Sequence, residues 1–147
     1  MAGSTSIEWT HLPGYAGKSW NPVIGCAKVS PGCKHCYAAT MAGRIVRMGQ
    51  ASAERYKQVV LHRDANGRQC HEDAAGAVPQ GDWNGTFLEV PSALDEPLKT
   101  LRPTCYFVNS MSDLFGEGVD DQFIAAVFGV MAAAYRHRFI VLTKRIE

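Results

Sequence analysis

The sequence lacks the features of secreted and membrane-spanning proteins, and it has almost no net charge. Residues Met1 to Ser6 contain no charged segment followed by an apolar one, so we expect no secretory signal. The longest apolar stretch, Ile124 to Tyr135, is too short to span a bilayer. The 15 basic and 14 acidic residues leave a formal charge of +1, which predicts no overall attraction to nucleic acid or anionic lipid. We therefore expect a cytoplasmic protein that does not enter a membrane.

The chain also shows no internal repeat, and its composition is that of a globular domain. It has 147 residues, of which 46% are hydrophobic and 20% are charged, enough to bury a core. We expect one domain over residues 1–147. Asn, Gly and Pro interrupt the polar stretch from Asp64 to Gly85, which predicts a long, loose surface loop inserted into that domain.

Apolar patterns indicate strands that alternate with helices. The expected strands are Ile7–Thr10, about Thr86–Val90, Cys105–Val108 and Phe139–Leu142. The expected helices run from about Tyr37 to Met48, from Ser92 toward Leu101, and onward from Asp120 or Asp121, the last with a core stripe of Phe123, Val127, Met131 and Ala134. Such alternation predicts an α/β fold with a parallel sheet, in a barrel or a doubly wound arrangement. A complete barrel needs about 250 residues, so we expect a partial TIM-type (β/α) barrel, truncated at the C-terminus after Glu147.

Polar side chains follow three of the expected strands, at the edge where parallel α/β folds place their reactive sites. They are Trp9 and Thr10 at the end of the first strand, Asn109, Ser110, Ser112 and Asp113 after the third, and Thr143, Lys144 and Arg145 after the fourth. Asn, Ser and Asp are also ordinary turn residues, and the cations equally suit a solvated strand end. Both interpretations stay open. Trp9 and Trp20 are expected to be core aromatics that brace the neighbouring loop.

Three of the five cysteines lie close together. An odd number of thiols in a cytosolic chain argues against a disulfide framework and favours metal or redox chemistry. Six residues separate Cys26 from Cys33 and two separate Cys33 from Cys36, and Pro31 with Gly32 supplies a turn between them. The three thiolates are therefore expected to converge at the start of a helix, whose positive end favours anionic sulfur. This pattern predicts a metal or cluster site.

The number of ligands leaves two kinds of site open. A structural zinc ion is almost always held by four ligands, whereas three cysteines suit a cubane cluster with one open iron. A fourth zinc ligand would have to come from His35, His11, Cys70 with His71, or Cys105. The last of these lies in an apolar run and is more typical of a small buried residue. The zinc alternative predicts a binding module without catalysis.

Five segments together resemble a family of phage- and prophage-borne three-cysteine-motif proteins whose function is uncharacterised. They are Ile7–Thr10, Ser19–Val23, the cysteine loop Gly25–Ala38, Asn109–Phe115 and Val141–Arg145. The resemblance covers nearly the whole chain. That family is in turn similar to the radical S-adenosylmethionine enzymes, nearest to the group containing spore photoproduct lyase. The shared features are an aromatic residue after the last cysteine, a Ser-Asp-aromatic loop and a strand ending in Thr-Lys.

The resemblance implies a site and a chemistry. Cys26, Cys33 and Cys36 would hold a [4Fe–4S] cluster that binds S-adenosylmethionine. The residues that would contact this cofactor are Tyr37 near the adenine, Asn109, Ser110 and Asp113 at its amino or ribose groups, and Thr143 and Lys144 at its carboxylate or at a substrate. The protein would then be a phage-associated enzyme, of lyase or transferase type, that modifies or repairs nucleic acid or nucleotides and needs an electron donor. An inactive fragment of the family is the remaining alternative, besides the zinc module.

Overall fold

The computed structural model describes residues 2–145, with side chains from Ser4 onward. The nine strands within this range are β1 (Ala2–Ser4), β2 (Ala16–Trp20), β3 (Val23–Ile24), β4 (Val60–Arg63), β5 (Gln69–Cys70), β6 (Val78–Trp83), β7 (Leu88–Glu89), β8 (Thr104–Val108) and β9 (Arg138–Val141). The four α-helices are α1 (Tyr37–Arg47), α2 (Ala53–Lys57), α3 (Glu96–Lys99) and α4 (Asp121–Ala133), and short 3-10 turns cover Glu8–Thr10, Pro31–Cys33 and Pro91–Ala93.

A four-stranded sheet in the order β1-β2-β8-β9 forms the centre of the fold. Strands β2, β8 and β9 are parallel, and β1 adds to the edge in the antiparallel direction. The strands predicted at Cys105–Val108 and Phe139–Leu142 are confirmed, as is a mixed α/β fold with parallel strands. The described strands do not close into a barrel. The truncation predicted after Glu147 lies outside the described residues.

One face of this sheet packs against α4. Trp20, Tyr106 and Val108 are fully buried there together with Val127 of the helix. The helix begins where the sequence predicts, because the Asp120 carboxylate accepts a hydrogen bond from the backbone N–H of Gln122 at 2.7 Å and so caps its first turn. In the predicted core stripe, Val127 and Ala134 are buried, whereas Phe123 and Met131 are partly buried against the same core.

The prediction of a strand at Ile7–Thr10 is wrong. This segment forms a 3-10 turn, in which the Thr10 hydroxyl donates to the carbonyl oxygen of Ile7 at 2.7 Å. Such a local bond gives the backbone an alternative to strand pairing. The first parallel strand is β2 instead, so Asn21 and the cysteine loop follow it at the carboxyl edge of the sheet. Trp9 is 54% exposed and is not the core residue expected, whereas Trp20 is fully buried.

The prediction of a loose loop from Asp64 to Gly85 is also wrong. Strands β5 and β6 lie in this segment and pair with β4 in an antiparallel sheet. The glycines that interrupt the sequence mark its turns, since Gly67 and Gly76 adopt positive φ angles of 76° and 72°. This small sheet packs on α1, where Gly43 allows the backbone of Gln80 to approach the helix closely.

The segment between the two sheets differs from prediction mainly in length. The strand expected near Thr86–Val90 is confirmed as the two residues of β7, which pair with β3. The helix expected from Ser92 toward Leu101 consists of a 3-10 turn and only four residues of α3, and Ser92 makes no capping bond. Pro91 and Pro97 lack the N–H groups that a longer helix would use. No helix among residues 2–145 has the length and apolar character that crossing a membrane requires.

Candidate functional site

A cavity of about 440 Å³ lies at the carboxyl ends of the three parallel strands. The segments that follow β2, β8 and β9 all contribute to its walls. Its lining consists of Cys26, Ala27, Lys28, Cys33, Cys36, Ala38, Trp83, Phe107, Asn109, Ser110, Ser112, Asp113, Leu142, Thr143 and Lys144. A volume of this size is typical of small-molecule sites.

The three clustered cysteines all border this cavity, as their spacing predicts. The 3-10 turn Pro31–Cys33 folds the loop back on itself, and Cys36 directly precedes α1. Cys33 is buried, while Cys26 and Cys36 are partly buried. Within residues 2–145, no three or more Cys, His, Asp and Glu side chains are positioned as a ready-made metal site. The structure therefore brings the thiols to one cavity without arranging them as a closed coordination shell.

The thiols differ in acidity. A hydrogen bond from the backbone of Val29, assisted by Ser30 and by the charge of Lys144, lowers the pKa of the Cys33 thiol to about 7. The Nζ atom of Lys144 lies 3.7 Å from the Cys33 sulfur. Burial raises the pKa of Cys26, an effect that the nearby Arg145 partly offsets. Because the thiolate is the form that binds metals and acts as a nucleophile, Cys33 is more disposed than Cys26 to do either near neutral pH.

Asp113 ties the loop after β8 to the segment after β9. Its carboxylate accepts from the Thr143 hydroxyl at 2.8 and 3.0 Å and from the Lys144 backbone N–H at 3.1 Å. It also accepts from the backbone of Phe115 at 3.1 Å and from the Arg145 guanidinium at 3.3 Å. The carboxyl group is buried, so these bonds offset its loss of hydration. Both carboxylate oxygens are thus occupied within the protein.

Asn109 and Asn21 fasten the loop after β8 to the chain just before the cysteine loop. The side-chain oxygen of Asn109 accepts from the backbone N–H of Val23 at 3.3 Å. That of Asn21 accepts from the Ser110 hydroxyl at 3.2 Å and from the Met111 backbone at 3.0 Å. Asn109 has a φ angle of 55°, a left-handed conformation that Asn tolerates better than most residues. The polar groups after β8 are therefore held in one arrangement.

Five of the six predicted cofactor-binding residues line the cavity: Asn109, Ser110, Asp113, Thr143 and Lys144. Tyr37 does not line it, because the first turn of α1 turns this side chain outward and leaves it 74% exposed. Hydrogen bonds within the protein, described above, already occupy polar atoms of Ser110, Asp113 and Thr143. The Lys144 ammonium group lies beside Cys33 and 3.4 Å from the carbonyl oxygen of Gly32.

The candidate fourth zinc ligands do not gather at the three cysteines. Cys70 and His71 lie on and beside β5, where they line a separate cavity of about 630 Å³ with His62. His35 and His11 are exposed and border neither cavity. Cys105 is fully buried in β8, as expected for a small apolar residue.

Trp83, Phe107 and Asn21 belong to the site but were not found by sequence reasoning. Trp83 is buried and reaches the cavity from β6, inside the segment predicted to be a loose loop. Phe107 lies in a strand that the sequence predicts correctly, but its side chain is on the face opposite Tyr106. Alternation along β8 could have placed Phe107 there. The role of Asn21 depends on the position of β2, which the sequence does not reveal.

The chain belongs to a family of proteins of unknown function, DUF5131, to which residues 4–147 match. No curated protein and no solved structure matches the chain.

Proposed function

We propose that this chain is an iron–sulfur protein of the radical S-adenosylmethionine type, in which Cys26, Cys33 and Cys36 hold a [4Fe–4S] cluster. The proposal depends above all on one observation, that these three thiols border one cavity at the carboxyl ends of parallel strands. Reactive sites of α/β barrels and open sheets lie at this edge. The donor set suits the group, because soft thiolates select iron–sulfur clusters or zinc, and none of the residues suggested as a fourth zinc ligand lines this cavity.

The proposal extends to the architecture. The sheet of β2, β8 and β9 would form part of a TIM-type (β/α) barrel. Parallel neighbouring strands support this interpretation, as does the burial of one sheet face under α4. Such packing is shared with doubly wound folds, so the resemblance to the radical enzymes is what favours a barrel.

When bound, a cluster of this kind supplies the electron that cleaves the sulfonium bond of S-adenosylmethionine. The chain's own residues would bind, orient and shield. Trp83 and Phe107 give the cavity an apolar wall, and Lys144 places a positive charge beside Cys33. Asp113 and Thr143 bond to each other, so we assign them a role in positioning the loops rather than in direct contact with the cofactor.

Anaerobic purification and reconstitution, followed by iron and sulfide analysis, test the proposal directly. We expect a brown protein with about four irons, the content of a cubane cluster. The variant Cys36→Ala should lose most of this iron. Cys70→Ala is the matched control, because Cys70 borders the other cavity and should leave the iron content unchanged. A colourless protein with one zinc, or full iron in the Cys36 variant, would contradict the assignment.

The resemblance to phage-borne proteins and to spore photoproduct lyase supports a nucleic acid or nucleotide as the substrate, acted on in the cytoplasm with an electron donor. The measurement is the release of 5′-deoxyadenosine by the reduced protein with and without added oligonucleotides. Stimulated release would support this substrate class. Equal release under both conditions would count against it.

A further inference from the structure

A second group of metal-binding side chains lies outside the cavity that the three cysteines border. His62, Cys70 and Glu72 line the separate cavity of about 630 Å³, which lies beside β4, β5 and the end of α2. They offer a nitrogen, a sulfur and a carboxylate, the three kinds of ligand that zinc takes in proteins. Apart from the Nδ1 atom of His62, these side chains make no hydrogen bond or ion pair within residues 2–145, so their donor atoms are free.

His62 is held as metal-binding histidines usually are. It is only 4% exposed, and its Nδ1 atom lies 3.0 Å from the carbonyl oxygen of Val60. Because a carbonyl oxygen can only accept, we assign the ring proton to Nδ1, which leaves a lone pair on Nε2. A histidine that binds a metal through one ring nitrogen commonly donates the other N–H to a backbone carbonyl in this way. The ring is therefore fixed in a suitable tautomer by the protein alone.

The Nε2 atom of His62 opens toward this cavity. It has no hydrogen-bond partner within residues 2–145, and it is not among the unpaired atoms there that the protein seals from water. The small part of the ring that stays accessible therefore includes Nε2, and the cavity is the open space that His62 borders. A lone pair on a buried ring is thus available to an ion in the cavity.

Cys70 and Glu72 lie within reach of that nitrogen. Cys70 of β5 is paired directly with His62 of β4, and such residues point to one face of an antiparallel sheet with Cβ atoms about 4.5–5.5 Å apart. Glu72 follows in the turn after β5, and both side chains are half-buried. As at the first cavity, the donors within residues 2–145 are not arranged as a ready-made site. No hydrogen bond holds Cys70 or Glu72, so rotation of their side chains can bring them to the fixed His62.

The neighbouring charged groups leave room for a cation. Lys57 lies at the end of α2, but its ammonium group pairs with Asp73 at 2.9 Å and is neutralised there. His71 is exposed, and its Nδ1 atom accepts from the backbone N–H of Asp73 at 3.2 Å. Asp73 and His71 thus have partners of their own, which favours Glu72 as the third ligand.

We propose that the small sheet of β4, β5 and β6 holds a zinc ion, bound by Nε2 of His62, Sγ of Cys70 and the carboxylate of Glu72. Cys70 releases its proton when the ion binds, and the thiolate and the carboxylate then balance the two charges of the ion. Three protein ligands leave the fourth position to water or to a small molecule in the cavity, as in open zinc sites. The site is independent of Cys26, Cys33 and Cys36 and of the cluster proposed for them.

The test compares the zinc content of the wild type and of single variants after equilibration with just enough zinc to saturate the wild type. Cys70→Ser, Glu72→Gln and His62→Gln should each hold one ion fewer per chain. Loss of a residue that only supports a ligand weakens metal binding by about 10–100-fold, so loss of a ligand should cost at least as much. The comparison is a difference, so zinc bound at the first cavity cancels. Circular dichroism checks that each variant folds, and Cys70→Ser and Glu72→Gln keep the test decisive if the buried His62 does not tolerate replacement.

Matched controls lie outside both cavities. Glu117→Gln and His11→Gln alter exposed residues of the same types and should keep the wild-type zinc content. Cobalt(II) in place of zinc reports the sulfur ligand, because a thiolate-to-cobalt charge-transfer band should be stronger in the wild type than in Cys70→Ser. Wild-type zinc content in Cys70→Ser, or equal cobalt spectra in the two proteins, would overturn the site. Loss of zinc in His71→Ala together with full zinc in Glu72→Gln would overturn the assignment of the third ligand.

The zinc site and the proposed function can fail separately. Cys36→Ala should lose iron and retain this zinc ion, whereas Cys70→Ser should lose this ion and retain iron. A colourless protein whose one zinc ion disappears in Cys70→Ser would lose the proposed function and retain the site. A brown protein with about four irons and no zinc that depends on Cys70 would do the reverse.

Discussion

The Arg145 guanidinium bridges Asp113 and the cysteine loop. Its Nη1 atom lies 3.3 Å from Oδ2 of Asp113, and its Nη2 atom lies 3.4 Å from the carbonyl oxygen of Ala27. Both charged side chains are largely buried, at 14% and 8% exposure. One side chain after β9 thus holds two separate walls of the cavity, and the Phe87 ring lies 5.6 Å beneath the same guanidinium.

We expect Arg145→Met to lower the free energy of unfolding by about 3 kcal/mol, because it leaves the buried Asp113 carboxylate without its cation. Urea unfolding of the metal-free protein measures this change. Arg145→Lys retains the charge but cannot reach both partners with a planar fork, so its loss should be smaller. Lys99→Met is the control. It breaks an exposed pair with Asp95, which solvent screens, and should lower the free energy of unfolding much less than Arg145→Met does. Equal losses in the Arg145→Met and Lys99→Met variants would contradict a stabilising role for the bridge.

The sequence predicts the second half of the fold better than the first. β8 and β9 are runs of aromatic and β-branched residues, and Asp120 gives a clear helix start, so local signals suffice there. β2 has the sequence Ala-Gly-Lys-Ser-Trp, which carries no such signal. It becomes a strand because it pairs with β8. Gly17 makes room for the turn above it, since a Cβ there would lie 2.6 Å from the Thr10 hydroxyl.

The candidate site shows the same division. Asn109, Asp113 and Thr143 can be predicted because each follows a recognisable buried strand. Their roles cannot be predicted, since the bonding of Asp113 depends on a partner 30 or more residues away in the chain. Trp83 could not be predicted as a site residue, because the glycines and proline around it suggest a loop. They instead mark the turns and edge of a small sheet.

The acidity of Cys33 predicts a distinctive pH dependence. In the metal-free protein, alkylation of Cys33 by iodoacetamide should rise through a midpoint near pH 7, because the thiolate forms as the pH exceeds its pKa. Cys26, whose pKa is raised above the ordinary thiol value of 9.0, should react only at higher pH. Peptide mass spectrometry at a series of pH values separates the two thiols. Limited access to the buried Cys33 sulfur slows alkylation at every pH, while the midpoint still follows the pKa of the thiol.

Lys144→Met should move the Cys33 midpoint to higher pH, because it removes a positive charge 3.7 Å from the sulfur. Lys28→Met is the matched control, since Lys28 lies in the cysteine loop with Cys33 but pairs with Asp82. The Cys33 midpoint in this variant should match that of the wild type. Cys26 and Cys33 reacting with one common midpoint near pH 9 would contradict the electrostatic difference between them.

The cap of α4 gives a prediction about stability alone. Asp120→Ala removes the acceptor for the Gln122 backbone N–H and should lower the free energy of unfolding by about 1 kcal/mol. Asp120→Asn retains a capping oxygen and should lie near the wild type. Urea midpoints for the three proteins provide the comparison. An Asn variant as unstable as the Ala variant would show that charge at the helix start, rather than the hydrogen bond, stabilises α4.

Two helical glycines should respond to the same substitution in opposite directions. Gly129 in α4 is exposed, and an added Cβ would meet nothing within 4 Å. Gly129→Ala should therefore raise the free energy of unfolding by about 1 kcal/mol through helix propensity. At Gly43 in α1, a Cβ would lie 2.5 Å from the backbone oxygen of Gln80, which cannot move without shifting β6. Gly43→Ala should lose about 1–3 kcal/mol despite the same gain in propensity.

The Gly43 variant should also disturb the cavity, because β6 carries Trp83 into its wall. We expect a red-shifted tryptophan emission in Gly43→Ala as Trp83 gains contact with water, and unchanged emission in Gly129→Ala. Adding Trp83→Phe to the Gly43 variant should abolish the shift, which assigns it to this tryptophan rather than to Trp9 or Trp20. A stabilised Gly43→Ala protein with wild-type emission would mean that the small sheet packs less tightly on α1 than this close approach requires.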